Sequence, residues 1–197
     1  YRYRWKTSRF RDLIRDWPCP EWTGEIQNNA RILVHAEQGL GDTIQFSRYL
    51  KVLKDMGFRV DFECPDILKP LFKDASYLQS IISPGGSVPK IDFHVPLLNL
   101  PGLLAPDYFK EPYSAPYISA PKSALNKWMQ LMGPWPQGTR IGIAWRGSPD
   151  HASDGMRSPG LAAFAPLFAL DDVVLISLQK TNATDEWGAL ASGQNIN

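Results

Sequence analysis

Two short β-rich runs, RILVHA (31–36) and FRVDFE (58–63), bracket a glycine turn, EQGLG (37–41), and a stretch of helical character. Between them Phe46, Tyr49, Leu50, Leu53 and Met56 recur at helical spacing until Gly57 ends the pattern. Strand, helix and strand in that order make a βαβ unit, whose right-handed crossover forces the two strands to run parallel. A parallel sheet must be covered on both faces, so the chain is expected to be α/β and not a helical bundle or a β-sandwich.

The pattern continues with a helical piece at 68–72, a strand at 78–82, a turn at SPGG (83–86) and a strand in IDFHVPL (91–97). Residues 101–121, rich in proline and aromatics, read as a connecting loop, followed by a short helix at 123–131. After GPWPQG (133–138) the alternation restarts: RIGIAW is a strand, 161–170 a helix opened by Ser158 and Pro159, VVLISL (173–178) a strand and 185–190 a helix. The expected organisation is an N-terminal arm over 1–29, a Rossmann-like domain over 30–136 and the start of a second over 137–197. One or two βα units cannot cover both faces of a parallel sheet, so the second domain reads as incomplete. In the arm, the prolines and tryptophans of WPCPEWTGE (17–25) suit irregular chain docked on the neighbouring domain, and YRYRWKTSRF, without an initiating Met, reads as the interior of a longer protein.

Composition excludes several classes. With 21 basic and 20 acidic residues interspersed, the net charge of +1 supplies no general attraction to nucleic acid or to an anionic membrane, so any anion site must be local. Cys19 and Cys64 stand alone, without the spacing of a disulfide framework or a zinc site. No apolar run reaches the roughly 20 residues of a membrane helix, and a cytoplasmic location is expected. No metal or cofactor is implied.

The glycine turn lies at the carboxyl end of the first strand, where open α/β sheets place ligands. Gly39 and Gly41 begin a dinucleotide fingerprint, with Asp61 or Glu63 at the distance of a ribose-binding acid, but Ile44 replaces the third glycine that lets helix and strand pack closely. In a purely structural reading Asp42 is an N-cap, with Gln45 three residues on completing a capping box. In a third, Asp42 faces a cleft as a general base; backbone dipoles at a helix start favour its ionised form, so it needs a closely aligned hydroxyl to act. Residue types alone leave all three open.

The segments HAEQGLGDTIQFSRYL, RVDFECP, IDFHVPLLNLP, IGIAWRGSPDHASDGMRS and ISLQK occur in an order that resembles the catalytic region of heptosyltransferase-like bacterial glycosyltransferases, often fused behind tetratricopeptide repeats. The resemblance runs from about Trp22 to Lys180. It implies a GT-B fold, two Rossmann-like domains across a cleft, the acceptor mainly on the first and a nucleotide sugar mainly on the second. It implies inverting transfer without a metal to a carbohydrate, lipid-linked or protein acceptor, with Asp42 as base beside Gly39 and Gly41. Arg157, Ser158, Gln179 and Lys180 would then hold the donor diphosphate, Arg157 and Ser158 at a helix start whose N–H groups suit an anion. Lost repeats would supply protein partners. Structural readings stand beside these roles: Ser158 as an ordinary N-cap, Lys180 as a solvated strand end, Trp145 as core, His35 and His94 as packed strand residues, and His151 in a polar loop near the cleft.

The chain departs from that pattern where Gly155 and Met156 follow Asp154 in place of an acid–arginine pair, and it ends at Asn197 before the turn that should hold most of the nucleotide, so this piece is expected to turn over little. Two other functions remain: a non-catalytic binding or scaffold domain, and a dinucleotide-dependent oxidoreductase.

Overall fold

The structure, a computed structural model, describes residues 2–11, 14–104, 116–134, 137–148, 153–180 and 184–191. The chain forms two compact units, Tyr1–Met129 and Gln130–Asn197.

The first unit is built on four parallel strands, β1 (Arg31–His35), β2 (Arg59–Glu63), β3 (Leu78–Ile82) and β4 (Phe93–Pro96), in the order β3-β2-β1-β4. The expected βαβ unit is therefore present, and the strand order reverses between β1 and β4, compatible with a Rossmann-like domain. Between β1 and β2 the single helix expected from periodicity is two, α2 (Leu40–Phe46) and α3 (Arg48–Asp55). They meet at Ser47, whose hydroxyl donates to the Ile44 carbonyl at 2.7 Å while Leu50 N–H turns to the Ser47 carbonyl, a tighter pairing than the α-helix uses. Gly57, at φ +96°, closes the segment as expected.

Successive residues of a strand point to opposite faces, and the two faces of this sheet differ in kind. Ile32, Val34, Val60, Phe62 and Val95 join Leu50, Leu53 and Phe72 of α3 and α4 (Lys69–Phe72) in the main apolar core. On the other face Leu33, Ile82 and Ile91 form a smaller cluster with Trp17 and Cys19, so irregular chain and not a helix covers it. The same face carries Arg31, His35, Asp61 and Glu63, held in pairs. Asp61, fully buried, accepts from Arg31 Nε at 2.6 Å and from the Ser80 hydroxyl. Glu63 takes a two-point contact from Arg15 at 2.7 and 3.1 Å.

The N-terminal arm departs from expectation at its start: residues Arg2–Lys6 form a 3-10 helix and Ser8–Arg11 the short helix α1, because prolines begin only at Pro18. Beyond them the chain is irregular and docked. Trp22, 1% exposed, packs edge-on against Phe58 and donates from its indole to the Glu25 carbonyl at 2.7 Å. Trp22 N–H also bonds the His94 carbonyl, extending the sheet edge beside β4. After β4, α5 (Leu100–Leu103) occupies the start of the expected loop, of which 105–115 lie outside the described residues. Helix α6 (Lys122–Met132) follows where expected.

In the second unit β5 (Thr139–Ile143) and β6 (Val173–Ser177) pair in parallel. Ile143, Trp145 and Leu161 form its core with Phe164, Leu167, Phe168 and Trp187. The helix expected at 161–170 is present as a 3-10 helix, Leu161–Ala169, and is preceded by a short helix that was not expected, α7 (Asp154–Arg157). Pro166 inside the 3-10 helix has no N–H to give and blocks the carbonyl four residues back, which disfavours α geometry. Helix α8 (Thr184–Ala191) follows β6. No helix among the described residues is long and apolar enough to cross a membrane.

Candidate functional site

Gly39, Gly41 and Asp42 sit directly beyond the carboxyl end of β1, on the turn into α2. Helix α2 starts at Leu40 with Gly39 as its cap, so Asp42 is not the N-cap of the structural reading but a residue of the first turn. The physical reason is Thr43: both its N–H and its hydroxyl bond the Gly39 carbonyl at 3.0 Å, fixing the helix start three residues earlier than Asp42 would. The Asp42 carboxylate is half-buried and leans back over Gly39, its Oδ2 lying 3.5 Å from where a Cβ on that glycine would be.

Neither glycine is demanded by the fold. Gly39 has φ −63° and extended backbone, available to any residue, and a Cβ there would make only ordinary contact. At Gly41 an added Cβ would meet nothing within 4 Å. Glycine in a helix costs about 1 kcal/mol relative to alanine, and here no turn or close approach among the described residues returns it.

The flanking residues form a network that sequence reasoning missed. Glu37, two residues past β1, takes both Nη2 contacts of Arg4 and accepts from Leu98 N–H at 3.1 Å. Arg4 Nη1 donates to Asn99 Oδ1 at 2.7 Å, and Asn99 Nδ2 donates to Glu21 at 2.8 Å. Burial pushes the Glu37 carboxyl upward, opposed by Arg4 and by the Leu98 amide. Trp17 lies against both His35 and His94, ring centres 5.1 and 5.5 Å away, and the Arg15 guanidinium lies over its ring at 4.4 Å. His35 and His94 are packed strand residues, as expected. Burial, then Arg15, His94 and Arg4, hold the His35 imidazole down at about 3, and burial also lowers His94. No periodicity announces these contacts, since each joins segments far apart in the chain; the only signal was the buried-strand register that puts Glu37 at the sheet's carboxyl edge.

Asp61 and Glu63, the two acids of the dinucleotide reading, are engaged by Arg31 with Ser80 and by Arg15 respectively, which leaves neither open to a ribose hydroxyl.

Beyond the carboxyl ends of β5 and β6 in the second unit, Ser158 meets Gly147 and Gln179 meets Trp145 and Arg146, with Arg157 and Lys180 next to them in the chain. Ser158 is not an N-cap: it ends α7, and Gly160 caps the 3-10 helix. Its hydroxyl accepts from Gly147 N–H at 2.9 Å and donates to Asp154 Oδ1 at 2.8 Å. Arg157 pairs with the same carboxylate at 3.6 Å and stays exposed. Gln179 Oε1 accepts from the N–H groups of Trp145 and Arg146, both at 3.0 Å, and its Nε2 returns to the Arg146 carbonyl, prolonging the β5–β6 ladder through a side chain. The amides of residues 145–147 are thus satisfied internally, and Arg146, Arg157 and Lys180 are the exposed cations of the group. Glu186, also missed, accepts from the buried Trp145 indole at 3.0 Å and pairs with Arg146 at 2.7 Å. His151 lies outside the described residues.

No family model, curated protein or solved structure matches the chain.

Proposed function

We propose that the chain belongs to an inverting glycosyltransferase of GT-B type, the catalytic region of a heptosyltransferase-like protein in which tetratricopeptide repeats supply partner contacts. In this reading Asp42 takes the proton from an acceptor hydroxyl, carried on a carbohydrate, lipid-linked or protein acceptor. The hydroxyl oxygen bonds to the anomeric carbon of a nucleotide sugar as the bond to the diphosphate breaks. Arg157 and Lys180 offset the charge growing on the leaving group, with Ser158 and Gln179 shaping the loop that presents Arg157. No metal or cofactor enters these steps.

The observation that carries the reading is the bare backbone at Gly39 and Gly41 next to a half-buried acid. Gly39 suits its place as helix cap, but the chain's own packing gives no reason for Gly41, whereas a ligand approaching the main chain beyond β1 does. Engagement of Ser158 and Gln179 in internal bonds favours a second reading, a non-catalytic binding or scaffold domain.

A thermal-shift panel of UDP-, GDP- and ADP-linked sugars on the full-length protein separates the two, because a ligand with a formed site raises the melting temperature. With the responding donor, Asp42→Asn is expected to lower transfer by roughly 10²–10⁴-fold with acceptor affinity little changed. Gly41→Ala should leave the fold as stable or more so, by up to about 1 kcal/mol, and weaken acceptor binding. Unchanged turnover in Asp42→Asn removes it from the mechanism.

A further inference from the structure

The strand order places the first unit's ligand crevice between the ends of β1 and β4, and that crevice holds a guanidinium. Arg4 is 6% exposed while its neighbour Tyr3 is 76% exposed, and Lys6, Thr7 and Ser8 face solvent. None of the described side chains in residues 2–11 contributes to either apolar cluster of the unit. One planar cation is inserted by a segment that buries little else.

The groups that receive it are oriented by partners other than Arg4. Leu98 N–H fixes Glu37 Oε1. Donation from Asn99 Nδ2 to Glu21 turns Asn99 Oδ1 toward the guanidinium. Carboxylate and amide oxygen together match the fork of a guanidinium and not the point charge of an ammonium. The Trp5 ring that faces the Arg4 guanidinium at 4.4 Å belongs to the arm and would leave with it. Receptor groups set in place independently of their ligand are the mark of a binding site more than of a tether.

We propose that the Glu37–Asn99–Glu21 crevice is a guanidinium-binding site, occupied in cis by Arg4 and open to an arginine side chain of another polypeptide when residues 2–11 are displaced. This inference is independent of the glycosyl-transfer reading, since it concerns which group the crevice recognises and not what is transferred.

The test uses the full chain carrying Arg4→Ala, with the Leu98 amide resonance as reporter and L-arginine amide, L-lysine amide and a peptide of residues 1–11 as probes. Arginine amide should shift the Leu98 resonance saturably, at least tenfold more tightly than lysine amide, and the unsubstituted chain should not respond at the same concentrations. A peptide that binds more tightly than arginine amide, and loses that advantage with Arg4→Lys in the peptide, assigns the site to polypeptide arginine; equal affinity assigns it to a free guanidino compound. A Leu98 amide that does not respond, or responds equally to lysine amide, overturns the proposal. So does failure of both Arg4→Ala and Arg4→Gln to fold, because the crevice would then not exist without Arg4.

Discussion

His35 should make the first unit acid-labile well above the pH at which carboxylates protonate. His35 is 6% exposed, tilted against Trp17, stacked on His94 and faced by the cations of Arg15 and Arg4. These hold its folded pKa at about 3 against an ordinary value of 6.5. A base with a depressed pKa contributes stability that is complete above its unfolded value and lost as pH falls from there toward the folded value, because the unfolded chain takes up the proton first. Between pH 7 and pH 5 the loss is about 2 kcal/mol, at about 1.4 kcal/mol per pH unit once the unfolded imidazole is charged. Since pH 5 lies well above the folded value, that loss is set by the unfolded pKa. Glu37, with its raised folded pKa, runs the opposite way, gaining stability as pH falls, and must be subtracted. The comparison is therefore between the native chain and His35→Gln, each unfolded in urea at pH 7, 6 and 5 and followed at the β1 amides so that only the first unit is read. With a slope of about 1–3 kcal/mol per molar urea, the native midpoint should fall by roughly 1 M more than that of the variant. Equal shifts in the two chains would refute the assignment of the acid lability to His35.

Three further substitutions test the packing that positions the sites. Gly147→Ala would push a Cβ against the Asp154 carboxylate and the Arg157 guanidinium, side-chain ends that can swing aside, so the second unit should lose no more than about 1 kcal/mol in urea denaturation while the Arg157–Asp154 pair is displaced. Gln179→Leu removes the acceptor of two backbone amides, and hydrogen exchange at Trp145 and Arg146 should accelerate at least tenfold, as expected for about 1–3 kcal/mol of lost hydrogen bonding. Trp22→Ala, at 1% exposure and against Phe58, should destabilise the first unit by about 3–5 kcal/mol, measured by its urea midpoint.

Legibility of the fold from sequence divides along physical lines. Local periodicity and the crossover rule were enough for β1 to β4, since Ile32, Val34, Val60 and Phe62 carry the burial pattern within their own segments. Helix breaks were not legible in the same way. A serine hydroxyl bonding back to Ile44 splits α2 from α3, and Pro166 sets a 3-10 geometry, although the surrounding residues keep apolar character. The ionic layer was least legible. Arg4 with Asn99, Arg15 with Glu63 and Arg31 with Asp61 join residues 95, 48 and 30 positions apart. Pairing at that separation depends on topology, and no spacing rule within one segment encodes it.

At Asp42 a local preference yields to tertiary burial. Cap preferences are worth about 1 kcal/mol, and Asp42 with Gln45 satisfies the pattern, yet two Thr43 bonds to the Gly39 carbonyl and the burial of Thr43 at 1% exposure place the helix start earlier. The carboxylate is thereby moved from the cap into the first turn, where it overlies a glycine and no capping bond holds it. It lies there beside Gly41, which no contact among the described residues requires, while Glu37 and Glu63 are each held by an arginine.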